Sequence, residues 1–157
     1  IRHSKVTLLS HTKLAPDLAG TDNWGRPVTF WQTLWYSMGS FLLAKNDSLN
    51  NDYFMFHGAD APDYNAILRY DEYDMIDLGR AVGPYGVTNI GGTNVYSREF
   101  EKGYVYVNPT PNDVGSVDLP RPCRRRTHQN LYTPPSELPL VTTVSLDAHT
   151  AAILLKQ

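Results

Sequence analysis

The chain is short of several features that would decide its class at once. It holds one cysteine, Cys123, among 157 residues, which excludes an intrachain disulfide and a cysteine-built metal site. A nucleophilic Cys123 would need a base and an orienting group; His128 stands five residues on and the neighbouring arginines would lower the thiol pKa, but nothing completes the set. Charge of neither sign dominates: 14 Lys and Arg stand against 16 Asp and Glu, a formal net charge of −2. Such a balance gives no general attraction to phosphate or to anionic lipid, so neither nucleic acid nor a membrane is an expected partner. The last apolar run, residues 151–155, gives way at once to Lys156-Gln157 and is far too short for a bilayer. No His, Cys, Asp or Glu group has metal-ligand spacing, and no cofactor is expected.

What the chain does contain is the composition of an ordinary globular protein, 41% apolar with 10 Tyr and 3 Trp, which argues against disorder. The most informative stretch is 95–110, where two alternating patterns meet at Lys102-Gly103. This predicts a β-hairpin in which Gly103 supplies a positive φ at the turn. Asn108-Pro109 ends the second strand, because proline cannot donate to a ladder. A second strand pair is expected over 141–146 and 151–156, turning at Asp147-Ala148-His149-Thr150. Between the pairs, Arg121, Arg124, Arg125 and Arg126 gather among Pro120, Pro122 and Pro134-Pro135. The prolines favour a solvated loop there over a phosphate- or carboxylate-binding patch.

The first half reads differently. Residues 6–9 suit a buried parallel strand, and 13–27 read as a loop rich in Pro, Asp, Gly and Asn. Thr29 is a plausible N-cap for a helix over 30–45, along which Phe30, Leu34, Met38, Phe41 and Leu42 recur at helical spacing. A short strand follows at 53–56. His11 and His57 would both stand at the C-terminal ends of strands, the face on which parallel α/β folds build their sites. Asp17, Asp22 and Trp24 lie in the loop that would overhang that face. Trp31 and Trp35, four apart, share a helix face that most simply packs on a sheet, which leaves Trp24 as the better sugar-stacking platform. The densest acidic cluster is Asp71-Glu72-Tyr73-Asp74, but adjacent residues point different ways, so Asp71 and Glu72 make a poor acid/base pair.

The order Arg98-x-Phe100-x-x-Gly103-x-Val105-x-Val107-Asn108-Pro109-Thr110, then Val117-Asp118-Leu119, then a closing strand pair ending Ile153-Leu154-Leu155, resembles the C-terminal β-sandwich of certain (β/α)-barrel glycoside hydrolases known mainly from bacterial and environmental sequences. The preceding strand, helix with Ser37-Met38-Gly39-Ser40-Phe41-Leu42-Leu43, and strand are similar to the last barrel units of such enzymes. The resemblance implies an α+β chain: a short βαβ-like segment over 1–88, then an antiparallel β-sandwich over 89–157. It implies a carbohydrate ligand contacted by His11, Asp22, Trp24 and His57, and it places the principal catalytic carboxylates on earlier barrel strands. The segment leading to Asp77-Leu78-Gly79 and Gly83-Pro84 would connect barrel to sandwich.

A complete eight-fold barrel takes about 250 residues, and Ile1 stands where an initiator Met would, so the chain is expected to be a fragment. A lone βα unit leaves strand edges and an apolar face uncovered, which predicts self-association or a companion chain. The alternative is a non-catalytic carbohydrate-binding or assembly subunit. Asn46-Asp47-Ser48 matches the N-glycosylation pattern, meaningful only if the protein is secreted by a eukaryote.

Overall fold

The computed structural model describes residues 6–16, 18–46, 52–59 and 68–157. Asp17 and two members of the sequon, Asp47 and Ser48, lie outside them. The first half is a βαβ unit. Strand β1 (Thr7–His11) lies parallel to β4 (Tyr53–His57), in register from Thr7 with Tyr53 to His11 with His57. The loop between β1 and the helix is not wholly irregular: β2 (Ala19–Thr21) and β3 (Pro27–Thr29) pair as a small antiparallel hairpin. Helix α1 (Phe30–Ala44) starts where Thr29 Oγ1 accepts the amide of Gln32 at 3.1 Å, the expected cap. Its other end is held from a distance. Arg98 Nη1 donates to the carbonyls of Leu42, Leu43 and Lys45, oxygens that the last helical turn leaves without partners.

The helix buries two faces. Phe30 and Leu34 pack with Phe56 and Tyr70 against the parallel strands, each such burial being worth roughly 1.5–3 kcal/mol. Trp35 and Met38 instead pack on Val105, Val107, Ala151 and Ile153 of a large sheet. Gly39 permits this approach: a Cβ there would lie 2.6 Å from that of Ala151.

That sheet holds six antiparallel strands in the order β5-β6-β7-β10-β8-β9. They are β5 (Gly86–Ile90), β6 (Thr93–Phe100), β7 (Gly103–Asn108), β8 (Val114–Arg126), β9 (Leu140–Leu146) and β10 (Thr150–Lys156). The chain is thus α+β, and the expected sandwich takes the form of one continuous curled sheet. Its inner face carries Tyr104, Tyr106, Leu146, Ala152 and Leu154, and its other face receives α1. The division anticipated at 88/89 falls inside β5.

Three expectations are corrected here. The hairpin turns through Glu101 and Lys102, pairing Phe100 with Gly103, and Gly103 is not among the glycines with positive φ. Gly103 serves space: a Cβ would meet the Leu154 carbonyl oxygen at 2.3 Å and a Leu78 methyl at 2.5 Å. The last two strands do not pair with each other. β10 lies between β7 and β8, while β9 takes the sheet edge beside β8. Physical chemistry explains the exchange: Thr150 to Leu154 are buried without interruption, as a central strand requires, whereas β9 is buried only at Val144 and Leu146 and can leave one side to water. Finally, the arginine run is strand, not loop. A register shift between Asp118 and Cys123 takes up Pro120 and Pro122, which a bulge tolerates.

Candidate functional site

The strand ends come first. His11 and His57 are the last residues of β1 and β4 and are register partners. Phe54 and Phe56 pack toward the helix, so strand alternation puts Tyr53, Met55 and His57 on the opposite face, together with Thr7, Leu9 and His11. On that face Leu9 is 64% and Tyr53 57% exposed. His57 is buried, and its Nε2 has no hydrogen-bond partner.

Asp22 and Trp24 form a second pair, on the β2–β3 hairpin. Asp22 organises the turn by accepting from the Trp24 amide at 2.8 Å and the Arg26 amide at 3.0 Å, and it forms an ion pair with Arg26 at 2.6 Å. The backbone and side-chain hydrogen bonds from Arg26 hold its carboxyl below the usual 3.8. Asp22 is therefore an ionised structural anchor. Arg26 reaches on to the carbonyl of Pro111, tying the hairpin to the loop after β7. Trp24 is 60% exposed and stacks on His149, ring centroids 4.8 Å apart at 26°. His149 holds its place in the β9–β10 turn with φ of 50°. The four residues singled out in the sequence thus fall into two pairs, one at the parallel strand ends and one on the β2–β3 hairpin beside the turn between β9 and β10.

A third arrangement escaped sequence reading. Glu72, 2% exposed, opens the short helix α2 (Glu72–Met75) and meets His128 Nδ1 at 2.7 Å. The His128 ring lies flat on Trp31, centroids 3.5 Å apart at 9°. Asp71 points elsewhere, accepting from the Tyr132 hydroxyl, so the two acids do diverge. Glu72 and His128 are 56 residues apart, and no spacing rule links them. The one legible hint was Trp31, sharing a face with Trp35 yet one turn nearer the helix start.

His128 borders a cleft of about 210 Å³ between the first turns of α1, the end of β8 with the 3₁₀ turn His128–Asn130, and the β9–β10 turn. Gln32, Trp35, Arg125, Arg126 and Asp147 also line it. Arg126 is buried and donates through Nη1 to the carbonyls of Asn130, Leu131 and Thr133. Cys123 is fully buried in the sheet core, and desolvation raises its thiol pKa, the reverse of an activated nucleophile. Tyr73, on α2, is likewise pushed up to about 12, chiefly by burial. Among the described residues no group of three or more His, Cys, Asp or Glu gathers in metal-binding geometry, and no helix is long and apolar enough to cross a membrane.

Residues 15–104 match the model of hypothetical glycosyl hydrolase family 15, more than half the chain. The chain belongs to that family. Membership of hypothetical glycosyl hydrolase family 15 rests on the stretch from β2 to the start of β7, which includes Asp22, Trp24, His57 and Glu72, while His11 and His128 lie outside it. No curated protein and no solved structure matches the chain.

Proposed function

We propose that this member of hypothetical glycosyl hydrolase family 15 is a carbohydrate-handling protein whose residues 1–88 supply terminal units of a (β/α) barrel and whose residues 89–157 form the appended β domain. The single observation that carries the reading is the two-stranded parallel sheet covered by α1 on one side only. Parallel sheets are stable when both faces are buried, and in a barrel the face away from the helix is the packed interior. Leu9, Met55 and Tyr53 offer that interior face, and His11 and His57 stand at its substrate-facing rim. Further parallel strands beyond these two complete it.

The hydrolytic carboxylates belong to those further strands. Glycoside hydrolysis needs two carboxyl groups facing one bond. Each described acid of the first half is already engaged: Asp22 by Arg26, Asp52 by the amides of Val6 and Asn46, Asp71 by Tyr132, Glu72 by His128, Asp74 by Arg69 and Asp77 by Lys102. The exposed Trp24 favours a second reading, a non-catalytic saccharide-binding subunit, since the CH face of a sugar packs on an indole. The test is retention on polysaccharide-containing native gels, alongside release of reducing sugar. Retention is expected, falling about tenfold in affinity for Trp24→Ala, with no hydrolysis by this chain alone. Hydrolysis by this chain alone would refute the placement of the acids, and indifference to every polysaccharide would refute the carbohydrate reading.

A further inference from the structure

His128 is fixed from two sides. The buried carboxylate of Glu72 meets its Nδ1 at 2.7 Å, and the Trp31 indole lies flat against its ring. Its side chain is nevertheless 33% exposed, and no hydrogen bond among the described residues engages Nε2. His128 lines the cleft of about 210 Å³, and Nε2 is the nitrogen it has left to offer there.

The other side chains of the cleft decide what it can hold. Gln32 gives its backbone N–H to the Thr29 cap, and its side-chain amide bonds no described residue. Asp147 bonds Asn108 and Thr150 through its carbonyl oxygen, and its carboxylate bonds no described residue either. The two arginines of this border bring no charge to it. Arg126 is buried, donates through Nη1 to three carbonyls and has its Nε enclosed. Arg125 is the register partner of Leu154 on the sheet's inner face, so its side chain stands on the face turned away from α1. An anion would therefore meet a free carboxylate and, among the described residues, no facing cation.

The adjoining hollow of about 350 Å³ shares Gln32 and Asp147 with the cleft and adds Asp22 and Asp113, so it disfavours anions too. Two of those acids are already engaged: Asp22 is paired with Arg26, and Asp113 accepts the Ala148 amide at 2.8 Å. What remains is an amide that donates and accepts, a carboxylate that only accepts and an imidazole nitrogen that does one or the other. Hydroxyl groups can satisfy all three, whichever tautomer His128 adopts. Such a set fits a neutral, hydroxyl-rich ring. At ~30 Å³ per water the cleft has room for about seven waters, the space of one sugar residue. His149 lines the hollow and carries Trp24 on its ring, so a longer saccharide can run from the cleft toward Trp24.

We propose that this cleft is a subsite for a neutral sugar residue, whose hydroxyls bond His128 Nε2, the Gln32 amide and the Asp147 carboxylate. The proposal rests on the carbohydrate reading above and narrows it to uncharged saccharides.

The His128 ring signals and the Trp24 indole N–H signal, assigned by His128→Gln and Trp24→Phe, give the test on the intact chain. The probes are cellotriose, maltotriose, xylotriose and mannotriose, with trigalacturonate as the anionic counterpart. At least one neutral trisaccharide is expected to shift the His128 ring signals, and trigalacturonate to leave them in place. Asp147→Ala is expected to weaken the neutral ligand about tenfold, the loss of a hydrogen bond to a charged acceptor, with the urea midpoint unmoved. Binding undiminished by Asp147→Ala, or an equal shift of His128 by trigalacturonate, would overturn the subsite. Movement of Trp24 alone would also overturn it while leaving saccharide binding at the hairpin intact. No movement of either residue with any probe would remove the subsite, and the native-gel retention described above would then decide the broader reading separately.

Discussion

At Gly103 the sheet allows no side chain, because the Leu154 carbonyl of the neighbouring strand occupies the space of a Cβ. Gly103→Ala must push β7 from β10 or strain the turn, and a loss of about 1–3 kcal/mol is expected, read from the urea midpoint; an unshifted midpoint would contradict the close approach. The sequence marked this glycine but for another reason, since a Gly beside a turn suggests positive φ and a cross-strand carbonyl leaves no local trace. The same blindness applies to Glu72, an acid flagged by its cluster and explained only by a histidine 56 positions on. Asp77 offers a pH prediction. The hydrogen bond from Lys102, then that from the Gly79 amide, hold its pKa below 3.8. A lowered folded-state pKa means stability that is present above the ordinary value and lost as pH falls through the folded one. Asp77→Asn should therefore flatten the fall in melting temperature below about pH 4, by an amount equivalent to at most ~1 kcal/mol because the pair is exposed. Identical pH profiles for both proteins would show that the pair contributes nothing to folding.

The helix is the element that joins the two halves, and Gly39 is its point of closest contact with the sheet. In an isolated helix Gly39→Ala would gain up to about 1 kcal/mol. Here the new methyl would stand 2.6 Å from the Ala151 Cβ and 3.2 Å from a Val107 methyl, so we expect a net loss of about 1–3 kcal/mol, measured by thermal and urea unfolding. A stabilised variant would mean that α1 shifts freely on the sheet. Helix α1, both parallel strands and the 103–108 strand were legible because period and caps are local properties. The order of the last three strands was not. Strands close in sequence suggest a hairpin, yet the uninterrupted burial of β10 demanded two neighbours, and only the completed sheet shows which. The prolines of β8 misled for a related reason, as a bulge that absorbs them is a feature of pairing.

At the scale of the whole molecule, the face of β1 and β4 turned away from α1 is open to a test of assembly. Phe56 and Leu9 stand on the two neighbouring strands of one sheet but on opposite faces, Phe56 sealed against α1 and Leu9 64% exposed. Removal of the sealed side chain, Phe56→Ala, should cost about 3–5 kcal/mol. Leu9→Glu should change folding stability by no more than about 0.5 kcal/mol, since that leucine is 64% exposed. Its effect should fall on assembly: exposed Leu9 and Tyr53 side by side on a short sheet favour burial against a second sheet, and a carboxylate among them opposes burial without a partner. Native mass spectrometry across a concentration series is the measurement. Dimers or larger species of the unaltered protein that vanish in Leu9→Glu, with an unchanged unfolding midpoint, would mean that the face is an interior awaiting its other strands. A monomer at every concentration, in both proteins, would mean that copies of this chain do not complete the sheet.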